Sequence, residues 1–115
     1  MKIEKRLVIS SAHKLNLPYE SPCNGLHGHN WIIDICLESD ILLNDMVIDF
    51  TEIKKIVMQL DHTYLNDVKG LENPTVENIV LYLIDRFIAM NRFSRIKVGV
   101  QETESSSAEH EWKSA

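Results

Sequence analysis

Three histidines, His13, His27 and His29, carry the most legible chemistry in this chain, with Cys23 between the first and the close pair. Neutral imidazoles ligate zinc at about 2.0–2.1 Å, and three of them without a fourth protein ligand in the motif describe a catalytic site with an open position. His27 and His29 are two residues apart, so in an extended strand both project to one face and can reach one ion. His13 has the parity of Leu7, Ile9 and Ser11, which aims it at the same side if the first strand runs that far. The bare pattern also admits three unrelated histidines. Cys23, in a loop with Pro22 and Gly25, is a thiolate base or nucleophile beside a cation, a fourth metal ligand, or an inert thiol.

Two further sets of residues carry functional groups. Asp61 and His62 are adjacent, and a carboxylate there could orient an imidazole for proton transfer; a solvated helix terminus is the plainer reading. Glu102 shares parity with Ile96, Val98 and Val100, and a carboxylate on an apolar face needs a partner. Its two acceptor oxygens match the paired N–H donors of a guanidine-like heterocycle edge, or an arginine, unless the strand has ended and the group is in solvent.

The elements that must position these groups follow from periodicity. Ile3 to about Ser10 reads as a first strand, and Asn30 to Glu38 as a second, with Trp31, Ile33, Ile35 and Leu37 on one face. The loop between them is marked by Pro18, Pro22, Asn24 and Gly25. Phe50, Ile53, Ile56, Val57 and Leu60 keep helical spacing after Asp49 and Thr51, either of which can cap the start. A second helix carries Val76, Ile79, Val80, Leu83 and Phe87 on one stripe, starts at the Asn73-Pro74-Thr75 signal and ends near Asn91. Ile96, Val98 and Val100 define a third strand, and a short fourth is expected at about Ala108 to Lys113 after a turn at Ser105 to Ser107. Strands at both ends with two helices between them imply an α+β domain: a mostly antiparallel four-stranded sheet, order ββααββ, helices on one face.

With 115 residues and 44% hydrophobic content, the expectation is one domain over 1–115 with a modest core and much exposed surface, which association would cover. A formal charge of −5 with no basic cluster argues against nucleic acid and for a small-molecule substrate. No stretch has the length of a membrane span or the apolar core of a signal peptide, so a cytoplasmic address and no membrane partner are expected, and in that compartment Cys23 and Cys36 should be free thiols.

Together these residues resemble the 6-pyruvoyl-tetrahydropterin synthase family, which includes the 6-carboxytetrahydropterin synthases of queuosine biosynthesis. The resemblance rests on Ser11 to Leu15, Cys23-Asn24-Gly25-Leu26-His27-Gly28-His29, Met46 to Phe50, Leu60-Asp61-His62-Thr63-Tyr64-Leu65-Asn66, Glu72 to Asn78 and Val100 to Thr103, and covers nearly the whole chain. The Cys-x-x-x-His-Gly-His spacing and the Asp-His-x-Tyr-Leu-Asn string are closer to the carboxy branch than to the pyruvoyl branch. The resemblance implies zinc on His13, His27 and His29, Cys23 as general base, Asp61 and His62 as proton relay, Glu102 as pterin anchor and Thr75 near the pterin pocket. It also implies the tunnelling fold, whose subunits join their sheets into a barrel, here as a homo-oligomer, a hexamer of two trimers, with sites at subunit interfaces. The implied reaction converts dihydroneopterin triphosphate to 6-carboxytetrahydropterin with loss of acetaldehyde and triphosphate, as a zinc-dependent carbon-carbon lyase. No nicotinamide or flavin is needed, and no Gly-x-Gly-x-x-Gly string is present. The alternatives are pyruvoyl-type elimination, aldolase-like cleavage of dihydroneopterin, and a non-catalytic zinc or pterin binding protein. Three positions depart from the family pattern: Ile9 for an aromatic residue, Asp45 for a glycine, and His110 for a tyrosine.

Overall fold

The computed structural model describes residues 1–115. Four antiparallel strands, β1 (Lys2–His13), β2 (His27–Glu38), β3 (Arg95–Thr103) and β4 (Ser106–Lys113), form one sheet in chain order. Helices α1 (Phe50–Met58) and α2 (Val76–Ile88) occupy the connection from β2 to β3. The ββααββ order and the single antiparallel sheet agree with the alternation read from the sequence.

Period-two alternation decides which face is covered. Leu7, Ile9, Trp31, Ile33, Ile35, Leu37, Ile96, Val98 and Val100 all point to one side and are buried there. Ile53 and Val57 of α1, and Ile79, Val80, Leu83, Ile84 and Phe87 of α2, complete the same core. Both helices begin as their capping residues require: Asp49 accepts from the Thr51 N–H at 2.9 Å and Thr75 Oγ1 from the Asn78 N–H at 3.1 Å. The opposite sheet face carries cross-strand ion pairs instead, Arg6 with Asp34 at 2.7 Å and Lys97 with Glu109 at 3.0 Å. Cys36 lies on that outer face, away from Trp31 and Ile33.

Several boundaries differ from expectation. β1 and β2 extend to His13 and His27, three residues past the apolar alternation at each end, because the ladder continues in unbroken register from Lys2 opposite Glu38 to His13 opposite His27. The pairing of β2 with β3 begins only at Ile32 opposite Gln101, so the histidine end of β1 and β2 is a two-stranded ribbon running past the third strand. α2 stops at Ile88 rather than near Asn91, and β4 starts at Ser106 rather than Ala108, after a register shift between Gln101 and Thr103. Asn44 and Asp45, both left-handed at φ 53° and 63°, form a tight hairpin turn closed by Leu43 and Met46. No helix is long and apolar enough to cross a membrane.

Candidate active site

The three predicted ligands meet at the end of the ribbon. His13 and His27 are directly opposite across the ladder and Ser11 faces His29, so strand pairing alone puts all three imidazoles on the core face. One nitrogen from each ring lies within 4.8 Å of the others. Trp31, fully buried on the same face, sets its ring edge-on to His13 and His29 at 4.9 and 5.0 Å between centroids and forms the apolar floor. Its Nε1 donates to the Ser11 carbonyl at 3.2 Å, and the Ser11 hydroxyl donates to the Leu60 carbonyl beneath.

The tautomers follow from the partners. His13 Nδ1 is 2.8 Å from the Pro74 carbonyl and His27 Nδ1 is 2.7 Å from the Gly25 carbonyl. A carbonyl only accepts, so both Nδ1 atoms carry the proton and both neutral rings present an Nε2 lone pair. Those two Nε2 atoms are 2.9 Å apart. Two lone pairs at that distance repel unless a proton or a metal cation lies between them. Burial pushes the His13 pKa down, only partly opposed by the Pro74 hydrogen bond, with His27 adding to the depression, so a proton is disfavoured there. The His29 pKa is likewise lowered, chiefly by burial, against the opposing charge of Glu102. His29 Nε2 is buried without a hydrogen-bond partner, which a metal ion would supply. Ring nitrogens anchored on backbone carbonyls are the outer shell expected of metal-ligating histidines, so the donor set fits zinc.

The remaining candidates are distributed around this centre. Glu102, near the end of β3, brings Oε1 to 3.6 Å from His29 Nε2, beside the three histidines rather than among them. The two groups are close without a hydrogen bond between them, so the histidine does not supply the partner expected for this carboxylate. Cys23 is half-buried on a short 3-10 turn, Pro22–Asn24, and is not one of the gathered ligands; its carbonyl accepts from Leu15 N–H at 2.8 Å, tying its turn to the chain leaving His13. Thr75 uses its hydroxyl as an acceptor for the α2 cap, one residue after the carbonyl that orients His13.

Asp61 and His62 sit on the outer edge of β1. Asp61 Oδ1 accepts from Ser10 N–H at 2.8 Å, and His62 N–H donates to the Ser10 carbonyl at 2.7 Å. The other Asp61 oxygen is 3.5 Å from His62 Nε2, whose side chain is 81% exposed on a left-handed residue. The pair is thus not brought among the three histidines, although His62, Thr63 and His29 border one open cleft of about 430 Å³. A hollow of about 510 Å³ on the outer sheet face is lined by ion-paired residues such as Arg6, Asp34, Lys97 and Glu109, and it contains none of these groups.

The sequence profile of 6-pyruvoyl tetrahydropterin synthase matches residues 2–113. The chain belongs to this family. A Synechocystis relative named 6-carboxy-5,6,7,8-tetrahydropterin synthase is 33% identical over 118 aligned positions, covering 94% of this chain and 91% of the relative. A Pyrococcus furiosus protein named dihydroneopterin monophosphate aldolase is 38% identical over 65 residues, 53% of this chain and 54% of its own. Among solved structures, 6-pyruvoyl tetrahydropterin synthase of Caenorhabditis elegans superimposes with a TM-score of 0.74 at 23% identity, over 100% of this chain and 96% of that one. That likeness establishes the tunnelling-type subunit fold of the family.

The histidines are legible from spacing alone; the groups that orient them are not. The Pro74 carbonyl, 61 residues from His13 in the chain, and the Gly25 carbonyl have no side-chain signature. The one local signal at this point is Pro74 itself, which marks the start of α2.

Proposed function

We propose that this pterin synthase family member converts dihydroneopterin triphosphate to 6-carboxytetrahydropterin, releasing acetaldehyde and triphosphate, in the cytoplasmic synthesis of queuosine or another deazapurine. The observation that carries the reading is the pair of Nε2 lone pairs facing each other at 2.9 Å, with His29 Nε2 unpartnered beside them, on a chain with the Cys23-to-His27 spacing of the carboxy branch. Residues 1–115 act as a single pterin synthase domain.

Zinc bound by His13, His27 and His29 supplies Lewis acidity toward the hydroxyl oxygens of the substrate side chain. Glu102 accepts hydrogen bonds from the N–H edge of the heterocycle and so fixes how far the side chain reaches. Cys23 as thiolate takes the C–H proton, and Thr75, at the α2 N-terminus, borders the ring. His62, with Asp61 beside it, moves protons at the hydroxyl oxygens. Its exposure in one subunit fits a site completed by a neighbouring copy, as in a hexamer of two trimers whose sheets close into a barrel.

The P. furiosus relative makes aldolase cleavage the second reading. Incubating zinc-loaded protein with dihydroneopterin triphosphate, without a redox cofactor, should yield acetaldehyde and a carboxylated tetrahydropterin. A pyruvoyl product without acetaldehyde selects elimination, and a hydroxymethyl pterin with the triphosphate ester of a two-carbon hydroxyaldehyde selects retro-aldol cleavage; either refutes the carboxy assignment. Cys23→Ala should retain zinc and lose turnover, because it removes a base and not a ligand.

A further inference from the structure

The Leu60-to-Asn66 string ends on a residue to which the proposed chemistry gives no task. The β1–β2 ladder ends at His13 opposite His27, so Lys14, the next residue, has no rung on β2. On the other edge of β1 the 61–66 segment supplies rungs instead: Asp61 and His62 to Ser10, Thr63 to Ala12 at 3.1 Å, and Asn66 to Lys14. The Asn66 contact is two-sided. Lys14 N–H donates to Asn66 Oδ1 at 3.0 Å, and Asn66 Nδ2 donates back to the Lys14 carbonyl at 2.8 Å. Nδ2 also lies 3.4 Å from the carbonyl of Glu72, two residues before the proline whose carbonyl holds His13 Nδ1.

We infer that Asn66 is a positioning residue of the metal centre: its carboxamide acts as the missing rung beyond His13 and locks that imidazole's strand to the Glu72–Pro74 segment that orients the ring. The inference rests on the reading that the three histidines bind zinc. The Asn66 side chain bonds, at the residue next to His13, the two backbone segments whose relative placement decides where His13 Nε2 points. Only a group with an acceptor and a donor on one planar end meets both Lys14 contacts, and an ionised aspartate would turn an oxygen toward two carbonyls. Asn73, itself in the Glu72–Pro74 segment, adds a tie further along the chain, its Oδ1 accepting from Asn16 N–H at 3.1 Å, and Asn24 bonds Leu17 and Tyr19 within the loop; the bonds to Lys14, the residue next to His13, are those of Asn66.

The test compares wild type with Asn66→Ala and Asn66→Asp. Folding of the metal-free proteins is followed by circular dichroism, zinc affinity by chelator competition, and ligand geometry by the visible spectrum of the cobalt-substituted proteins. Asn66→Ser, smaller and uncharged, stands in if the aspartate variant does not fold. Folded variants should lose about 10- to 100-fold in zinc affinity, the aspartate variant the most, with shifted or weakened cobalt bands. Variants that melt earlier yet keep wild-type zinc affinity and an unchanged cobalt spectrum would show a structural role only and overturn the inference. Wild type that binds neither ion would overturn it together with the three-histidine reading, which separates the two failures.

Discussion

His13 and His29 show how burial on the core face and ligand chemistry reinforce each other. Both rings are held below the usual imidazole range mainly by burial, so both are neutral, which is the form a metal needs. The same shift links folding to pH. In the unfolded chain these imidazoles take up protons below about pH 6.5, while in the fold they resist protonation. Their contribution to stability is therefore complete above that value and is lost as pH falls through the window between the ordinary and the depressed pKa. The urea midpoint of metal-free protein should fall between about pH 7.5 and 5.5, more steeply with saturating zinc because protons then compete with the metal. His29→Asn should flatten the metal-free slope. An identical slope in that variant would place the pH dependence on other groups.

The turn that follows β2, past the end of that strand away from the histidines, bears on one departure from the family pattern. Asp45 occupies a left-handed position at φ 63°, directly after Asn44 at 53°, in the turn closed by Leu43 and Met46. A two-residue turn of this kind favours glycine second, since a side chain there crowds the backbone. Asp45→Gly should stabilise the fold by about 0.5–1 kcal/mol and raise the melting midpoint by a few degrees, whereas Asp45→Val should lower it. Equal melting curves for all three proteins would show that the turn carries no strain. His110, another departure, lies exposed on β4 opposite Val98, and Ile9 is buried against Trp31. The strands and helices were legible because each has a covered face with its own period. The last three residues of β1 and the first three of β2 were not, since Ser11 to His13 and His27 to His29 carry site chemistry where alternation would show. Histidine parity still predicted their convergence. The Asn66 rung and the Pro74 carbonyl were invisible for a different reason: they close contacts across 52 and 61 residues through backbone groups, which no local pattern records.

At the scale of the whole molecule, the chain exposes more surface than a compact monomer of its mass. Its accessible surface is 6999 Å². The scaling for folded monomers gives about 6,450 Å² at this mass. The long axis of 49 Å against 27 Å accounts for part of the excess, and Tyr19, Leu26, Ile41 and Leu43 are largely exposed. Both outer strands are open. The bonds of Ser10 and Ala12 to the 61–66 segment show that even residues of β1 aim their backbone groups outward, so Lys2, Glu4, Arg6 and Val8 present an unpaired edge, as does β4 at the far side. A β1 edge meeting the β4 edge of another copy is a heterologous contact, and repeated around an axis it closes a ring. The protein should therefore sediment as an oligomer at micromolar concentration. Glu4→Pro tests the edge itself: it deletes an outward N–H without removing a bond of the β1–β2 ladder, an edge-strand setting that tolerates proline. That variant should keep its circular dichroism and its metal, dissociate at concentrations where wild type stays assembled, and lose turnover as it dissociates. A Glu4→Pro protein that remains assembled would move the contact away from this edge, and a fully active wild-type monomer would show that one subunit holds the whole site.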